Sequence, residues 1–252
     1  MTPEIDDAFH RIKLDHGADS LDRVEEMLYS GRNAKHPRHP SQDGAKWILP
    51  GITQRPWHDP YEYPEIAPVV RALEEQHPQV KQELELAWTG KSGAFSDYEH
   101  YLMTQQDWQA LYLFKDGALA DSSAQTVPVT YDVVRDLIVK PGKLCPLLQS
   151  HFSTLLPAAS IKPHCDLWNF SINLHLAVDI PENCGITVAG ETRTWHEGHC
   201  LLFDYSFEHE AWNNGNRPRT CLLVDLWHPE TTLAEREALV VAITEIRRLI
   251  GE

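Results

Sequence analysis

Apolar residues recur at three- and four-residue intervals in three stretches of the chain, and that interval predicts helices. Residues 5–30 carry two stripes, Ile5, Phe9, Ile12 and Leu14, then, after Gly17, Leu21, Val24, Met27 and Leu28. They read as one amphipathic helix or a pair packed on the rest of the molecule, with Ser20 as an N-cap for the second stripe. From 64 to about 87, Ile66, Val69, Val70, Leu73, Val80, Leu84 and Leu86 predict a helix that Pro78 breaks or kinks. Leu239, Val240, Ala242, Ile243 and Ile246 predict a helix over 233–250 with Thr232 as its cap. A shorter helix is expected over 134–139. Residues 31–60 are rich in Gly, Pro, His, Asn and Asp and read as loop, whose part from Trp47 to Trp57 is a candidate lid.

From residue 108 onward the pattern shortens to two. Strands are expected at 108–114, 152–156, 171–178, 199–204, around His209, and at 219–226, with a hairpin of 185–188 and 192–195 turning at Ala189-Gly190-Glu191. Over 171–178 the alternation puts Ser171, Asn173 and His175 on one face and Ile172, Leu174 and Leu176 on the other. A polar face inside a barrel reads as a site; the same face turned to solvent is the alternative.

Composition narrows the class. A chain of 252 residues with 42% hydrophobic residues supports one globular domain with a generous core. The formal charge of −15, with no basic run, argues against nucleic acid and anionic membranes as partners. Five cysteines, at 145, 165, 184, 200 and 221, show neither CxxC nor another zinc spacing, which reads as a reduced, cytoplasmic setting. The N-terminus is acidic without an apolar run, and no stretch reaches the length of a membrane span, so a soluble enzyme is expected.

The candidate chemistry lies between His164 and Arg219. Residues i and i+2 of a strand share a face, so His164 and Asp166 can reach one metal while Cys165 points away. His209 follows 43 residues after Asp166, far enough to return on another strand. Two imidazoles and one carboxylate in this pattern are the ligands of an iron(II) site with open positions. Arg219, ten residues past His209, suits a bidentate clamp for a dicarboxylate cosubstrate. Glu208 and Glu210 flank His209 but face the other way in an extended segment, and Asp204 reads as a turn-former. His36, His39 and His58 read as solvated loop residues, and His228 as structural. Arg193 either meets a substrate carboxylate or pairs on the surface.

This text resembles a known family. Glu191-Thr-Arg-Thr-Trp195-His-Glu-Gly198, Leu202-Phe-Asp204, Ser206-Phe-Glu-His209-Glu and Val224-Asp-Leu-Trp227-His-Pro229 are similar to the aspartyl/asparaginyl β-hydroxylases, over about 107–229. The resemblance implies a mainly β fold with flanking helices, a double-stranded β-helix (jelly roll, cupin-like). As one domain over 1–252, it would have a mostly helical and loop part at 1–100, a jelly-roll core at 107–229 and a C-terminal helix at 230–252. It implies Fe(II) and 2-oxoglutarate as cofactors. Iron would be held by His164 and His209, 2-oxoglutarate by Arg219 with His175 and Ser153 as lesser contacts. Vertebrate members have Gly where this chain has Asp166, and arginines where it has Ser171 and Asn173. The restored carboxylate completes a three-ligand site with His164 and His209. The lost arginines turn the expected substrate away from a carboxylate side chain, with Ser171, Asn173, Trp168 and Arg193 as substrate contacts. The expected function is oxidation of an unactivated C–H bond of a small amino acid, free or carrier-bound, by hydroxylation, ring closure or desaturation in specialised biosynthesis, with dioxygen consumed. Aspartyl/asparaginyl hydroxylation of a protein is the second reading, and a non-catalytic cupin-like module the third.

Overall fold

The structure is a computed structural model that describes residues 2–30, 38–90, 93–98, 107–115, 117–140 and 142–250. His36 lies outside the described residues. The N-terminal stripes form two helices, α1 (Pro3–His16) and α2 (Asp22–Ser30). Thr2 caps α1, its hydroxyl accepting from the Ile5 amide, and Gly17 ends the helix at φ 109°, a region glycine tolerates. Ser20 is not the cap of α2: the helix starts at Asp22, and the Ser20 hydroxyl has no hydrogen-bond partner. Next come β1 (Trp57–His58), α3 (Ala67–Glu75) and α4 (His77–Thr89). Pro78 sits in the first turn of α4, so the predicted break falls at Gln76 between two helices, where a missing amide hydrogen costs nothing. Leu14 and Leu86, placed on apolar stripes by spacing, face solvent.

The chain continues through β2 (Ser96–Asp97), β3 (Trp108–Lys115), β4 (Ala118–Leu119), α5 (Ser123–Thr126) and α6 (Pro128–Val134), which runs into a π-helical turn over Arg135–Val139. The remaining strands follow, all expected but β6: β5 (Ser150–Leu155), β6 (Ala159–His164), β7 (Ser171–Asp179), β8 (Cys184–Val188), β9 (Glu191–Arg193), β10 (Cys200–Phe203), β11 (His209–Asn213) and β12 (Arg219–Trp227). Helix α7 (Leu233–Ile250) closes the order. Thr232 caps it as expected: its hydroxyl accepts from the Glu235 amide, while the Glu235 carboxylate accepts from the Thr232 amide.

All strand pairs are antiparallel and fall into two sheets, the larger ordered β1-β10-β7-β12-β5-β3-β2 with β4 on β3, the smaller β6-β11-β8-β9. Three cores follow from strand alternation. On one face of the larger sheet Ile172, Leu174, Leu176, Leu222, Val224 and Leu226 pack under α3, α4 and α6. Between the sheets lies a second core that includes Phe203, Phe207, Ile161, Ile186 and Val188. The third packs α1 and α2 on α7 with Trp168, Phe170 and Trp227. The architecture is cupin-like in having two antiparallel sheets around a cavity. It corrects the mainly β expectation to a mixed one, because helices make up as much of the described chain as strands do. The three cores explain the difference: two of them need helices to cover them. No helix of the described residues is long and apolar enough to cross a membrane.

Candidate metal and cosubstrate site

Strands β6 and β11 pair with His164 directly opposite His209, and directly opposed residues project to the same face. The two imidazole centroids lie 4.1 Å apart. Each Nδ1 is tied to a backbone carbonyl two residues earlier, His164 to Lys162 O at 2.8 Å and His209 to Phe207 O at 2.9 Å. Those contacts make Nδ1 the protonated nitrogen and Nε2 the one that carries the lone pair. Both Nε2 atoms face Asp166, whose Oδ2 is 3.9 Å from His164 and 3.5 Å from His209. Asp166 is anchored just past β6 by its amide, which donates to Tyr205 O at 2.9 Å. One ligand atom from each of the three residues lies within 4.8 Å of the others, and among the described residues this is the one such group. Cys165 points away as expected, its sulfur toward Ser41 O, in a space open only because residue 44 is glycine; a Cβ there would sit 2.9 Å from the sulfur.

The electrostatics fit a cation. Burial, then the neighbouring His164, lowers the His209 pKa to about 3, so the ring is a neutral donor. Burial, reinforced by the charges of Asp225 and Asp204, raises Asp166 to about 7. The Asp166 side chain lines the cavity and is 41% exposed. Two imidazoles turned by their Nε2 atoms toward one carboxylate are the donor set of a facial divalent-metal site.

The cavity, about 120 Å³, lies between the sheets. The smaller sheet brings His164 and His209; the larger brings Ser153, Asn173, His175 and Arg219. Arg219 is 2% exposed, with its guanidinium 4.5 Å over the Trp195 ring. Its Nη1 points to the Cys221 thiol at 3.7 Å, and its Nε has no hydrogen-bond partner. His175 Nδ1 accepts from Trp195 Nε1 at 3.4 Å, and its Nε2 also has no partner. Burial, then the Arg219 charge, holds the His175 pKa well below the usual histidine range. Ser153 Oγ accepts from Trp108 Nε1 at 2.9 Å. A buried cation and two orphaned nitrogens on one cavity wall are what an anionic ligand would satisfy.

Seven of the ten residues singled out from sequence therefore line one cavity: His164, Asp166, His209, Arg219, His175, Ser153 and Asn173. Three do not. Ser171 is fully buried behind the wall, its hydroxyl 2.6 Å from the Tyr205 hydroxyl. Trp168 lies in the helix-side core, stacked on Phe170 at 4.9 Å, because the segment after Asp166 turns toward α7. Arg193 pairs with Glu191 and covers the Trp57 ring at 4.4 Å, its surface alternative. The segment from Trp47 to Trp57 is not a lid: Leu49 is clamped to Asn169 and Trp57 joins β10. His58 is no solvated loop residue but is buried edge-on against His228. Asp204 does form the turn, accepting from the Ser206 amide and hydroxyl, yet it is fully buried. Sequence reading missed Trp195, Tyr98, Gln149 and Asp225 as cavity residues. Trp195 stands in the quoted motif, and Asp225 shares the parity of Arg219 and Leu223 on β12.

A two-histidine, one-carboxylate centre facing a buried arginine, between antiparallel sheets, defines a site of the iron(II)/2-oxoglutarate oxygenase type. Comparison with known proteins agrees. The family model described as aspartyl/asparaginyl beta-hydroxylase matches residues 74–229. The aspartyl/asparaginyl beta-hydroxylases of Mus musculus and Homo sapiens are each 32% identical over 192 residues, covering 75% of this chain and 25% of theirs. The aspartate beta-hydroxylase domain-containing protein 2 of Xenopus tropicalis is 39% identical over 136 residues, 53% of this chain and 36% of its own. The chain belongs to the aspartyl/asparaginyl β-hydroxylase family. It spans about a quarter of the length of the mouse and human hydroxylases it matches. Among solved structures, a 2OG-Fe(II) oxygenase family oxidoreductase from Burkholderia pseudomallei overlaps at a TM-score of 0.37 and 13% identity, over 53% of this chain and 73% of that one. The Schizosaccharomyces pombe Cnp3 cupin domain overlaps at 0.33 and 11%, over 59% and 75%. Both overlaps are too slight to add to the argument.

Proposed function

We propose that this protein is an iron(II)/2-oxoglutarate-dependent oxygenase that hydroxylates an aspartyl or asparaginyl side chain. The observation that carries the reading is the triad His164, Asp166 and His209, with ligand atoms within 4.8 Å of one another, opening on the cavity that holds buried Arg219. Iron(II) bound there with 2-oxoglutarate and dioxygen supplies the oxidising power for an unactivated C–H bond, releasing succinate and CO2. The chain's own residues position and shield. Arg219 pairs with the distal carboxylate of 2-oxoglutarate, and the Trp195 ring holds the guanidinium in place. His175 Nε2 and Ser153 Oγ provide further polar contacts on that wall. Phe203, Ile161 and Ile186 keep the space between the sheets dry.

The family and its named relatives favour a residue of a protein as substrate over the free or carrier-bound amino acid of specialised biosynthesis expected from sequence. The test supplies iron, 2-oxoglutarate and dioxygen to the purified protein, with asparagine and aspartate both as free amino acids and within one peptide. Succinate and a product heavier by one oxygen are expected from the peptide. No succinate above the protein-free control would remove the oxygenase reading; product from free amino acids alone would restore the small-substrate reading.

A further inference from the structure

The cavity has one positive end. Among the described residues Arg219 is the sole lysine or arginine that lines it, and the reading above commits it to 2-oxoglutarate. Six residues along the same strand, Asp225 lines the same cavity at 5% exposure. One of its oxygens accepts from Asn173 Nδ2 at 2.5 Å and the other from the Gln149 amide at 3.2 Å. Both donors are neutral, and each carboxylate oxygen keeps lone pairs for another donor. Asn173 Nδ2 has a second hydrogen beyond the one given to Asp225. Gln149 Nε2 is already used, donating to the Tyr98 hydroxyl at 2.6 Å. This wall therefore offers a strong acceptor beside neutral donors only. A substrate carboxylate placed against an ionised Asp225 would meet a like charge, with no second cation among the described lining residues to neutralise it. A primary carboxamide matches it: the amide N–H donates to Asp225 and the amide oxygen accepts the second Asn173 hydrogen.

We infer that Asp225 and Asn173 form a carboxamide-reading pair that makes the enzyme select an asparaginyl side chain over an aspartyl one. The inference rests on the oxygenase reading, since that reading assigns Arg219 elsewhere. Asp225 and Asn173 lie on neighbouring central strands, in register opposite each other on β12 and β7. Their spacing is thus set by the sheet and not by a mobile loop. A site built on paired strands discriminates because a wrong group leaves its buried polar atoms unpaired.

The test is binding, so that it does not depend on turnover. The protein loaded with Mn(II) and 2-oxoglutarate is titrated by calorimetry with asparagine, aspartate and 2,4-diaminobutyrate, each in one peptide frame and each free. Asparagine is expected to bind at least about tenfold more tightly than aspartate. Asp225→Asn should bring that ratio close to one; Asn173→Ala, which leaves the carboxylate in place, should reduce it in the same direction. Comparison of peptide and free arms shows which source presents the amide. Aspartate binding as tightly as asparagine to the unaltered protein would overturn the inference, and that measurement needs no variant to fold. An unchanged ratio in both variants would overturn it too, as would tighter binding of the ammonium side chain. A parallel succinate assay with iron separates the two layers. Succinate without asparagine preference sinks the pair alone, whereas preference without succinate sinks the oxygenase reading and supports the pair.

Discussion

Replacing Arg219 with methionine should have opposite effects on the ligand-free protein and on its response to 2-oxoglutarate. Arg219 is 2% exposed, its Nε is unpartnered, and its Nη1 reaches a thiol. The guanidinium shows no carboxylate partner among the described residues, so the free protein carries the cost of a buried, uncompensated cation. Exchanging a buried charge for an apolar group of similar length is often neutral or stabilising by about 1–4 kcal/mol. The lost cation–π contact with Trp195 returns roughly 0.5–2 kcal/mol of that, and a thioether still packs on the ring. The ligand-free variant should therefore melt at or above the parent temperature. Truncating one partner of a buried charge pair costs about 2–5 kcal/mol of binding, or roughly 30-fold to a few thousand-fold in 2-oxoglutarate affinity. The assay is thermal melting with Mn(II) in place of iron, with and without 2-oxoglutarate. At about 100 times its dissociation constant the ligand adds about 2.7 kcal/mol. For a chain of this size that is a rise of roughly 5–11 °C, at about 2–4 °C per kcal/mol. Arg219→Met should keep at most about a third of that rise at the same concentration, and almost none at the upper end of the expected loss. An undiminished rise in a well-folded variant would refute the assignment of Arg219 to the cosubstrate.

Three other outcomes follow from the site. Asp166→Ala should weaken metal binding by more than about 100-fold, beyond the usual loss from an outer partner; equilibrium dialysis giving parental affinity would show that Asp166 is not a ligand. Metal binding needs Asp166 deprotonated, and its pKa of about 7 is raised by burial and by Asp225 and Asp204. Apparent Mn(II) affinity should therefore fall about tenfold per unit as pH drops below that value, while a flat profile down to about pH 5 would mean the carboxylate is ionised throughout. Asp204, raised to about 7 by burial, binds its proton more tightly folded than unfolded. Its stabilising share is present below the usual carboxylate range and lost as pH climbs through 7. Asp204→Asn should flatten that decline and stabilise the protein near about pH 8 in urea melts, and a variant less stable there than the parent would contradict it.

Much of this arrangement was legible because strand alternation and ligand spacing are local. The pair His164 and Asp166 needed only the two-residue repeat, and the polar and apolar faces of β7 divided as their order dictated. What alternation cannot give is depth along the strand. Ser171, Asn173 and His175 share a face, yet Tyr205 covers Ser171 while the other two reach the cavity. Trp168 was misplaced for a similar reason. It follows a ligand by two residues, but the chain there has left β6 and turns into the helical core. Asp225 was hidden because its signal is a contact with Asn173 across 52 residues of sequence. The helical share of the fold was underestimated because apolar stripes announce helices without saying how many sheet faces they must cover.

The proposed metal ligands and the proposed cosubstrate anchor belong to different sheets, and that division has consequences for the whole molecule. His164 and His209 are held by pairing within the smaller sheet, whereas Arg219, His175 and Asp225 are held by pairing within the larger one. Among the described residues no strand pairing joins the two sheets; beside the Asn213 side chain, which donates to Leu155 O at 2.9 Å, their separation is set by side chains packed between them, Phe203, Phe207, Ile186 and Val188 among them. Interiors are close-packed, and a void among such residues is relieved by a shift of the walls as well as by an empty space. Phe203 occupies a telling place, edge-on to His175 at 5.0 Å and 6.0 Å from the His209 ring. It touches a residue of each sheet and itself offers no ligand atom. The distance from the histidine pair to Arg219 therefore depends on an apolar core, and an alteration there would reach the proposed chemistry without touching any polar residue.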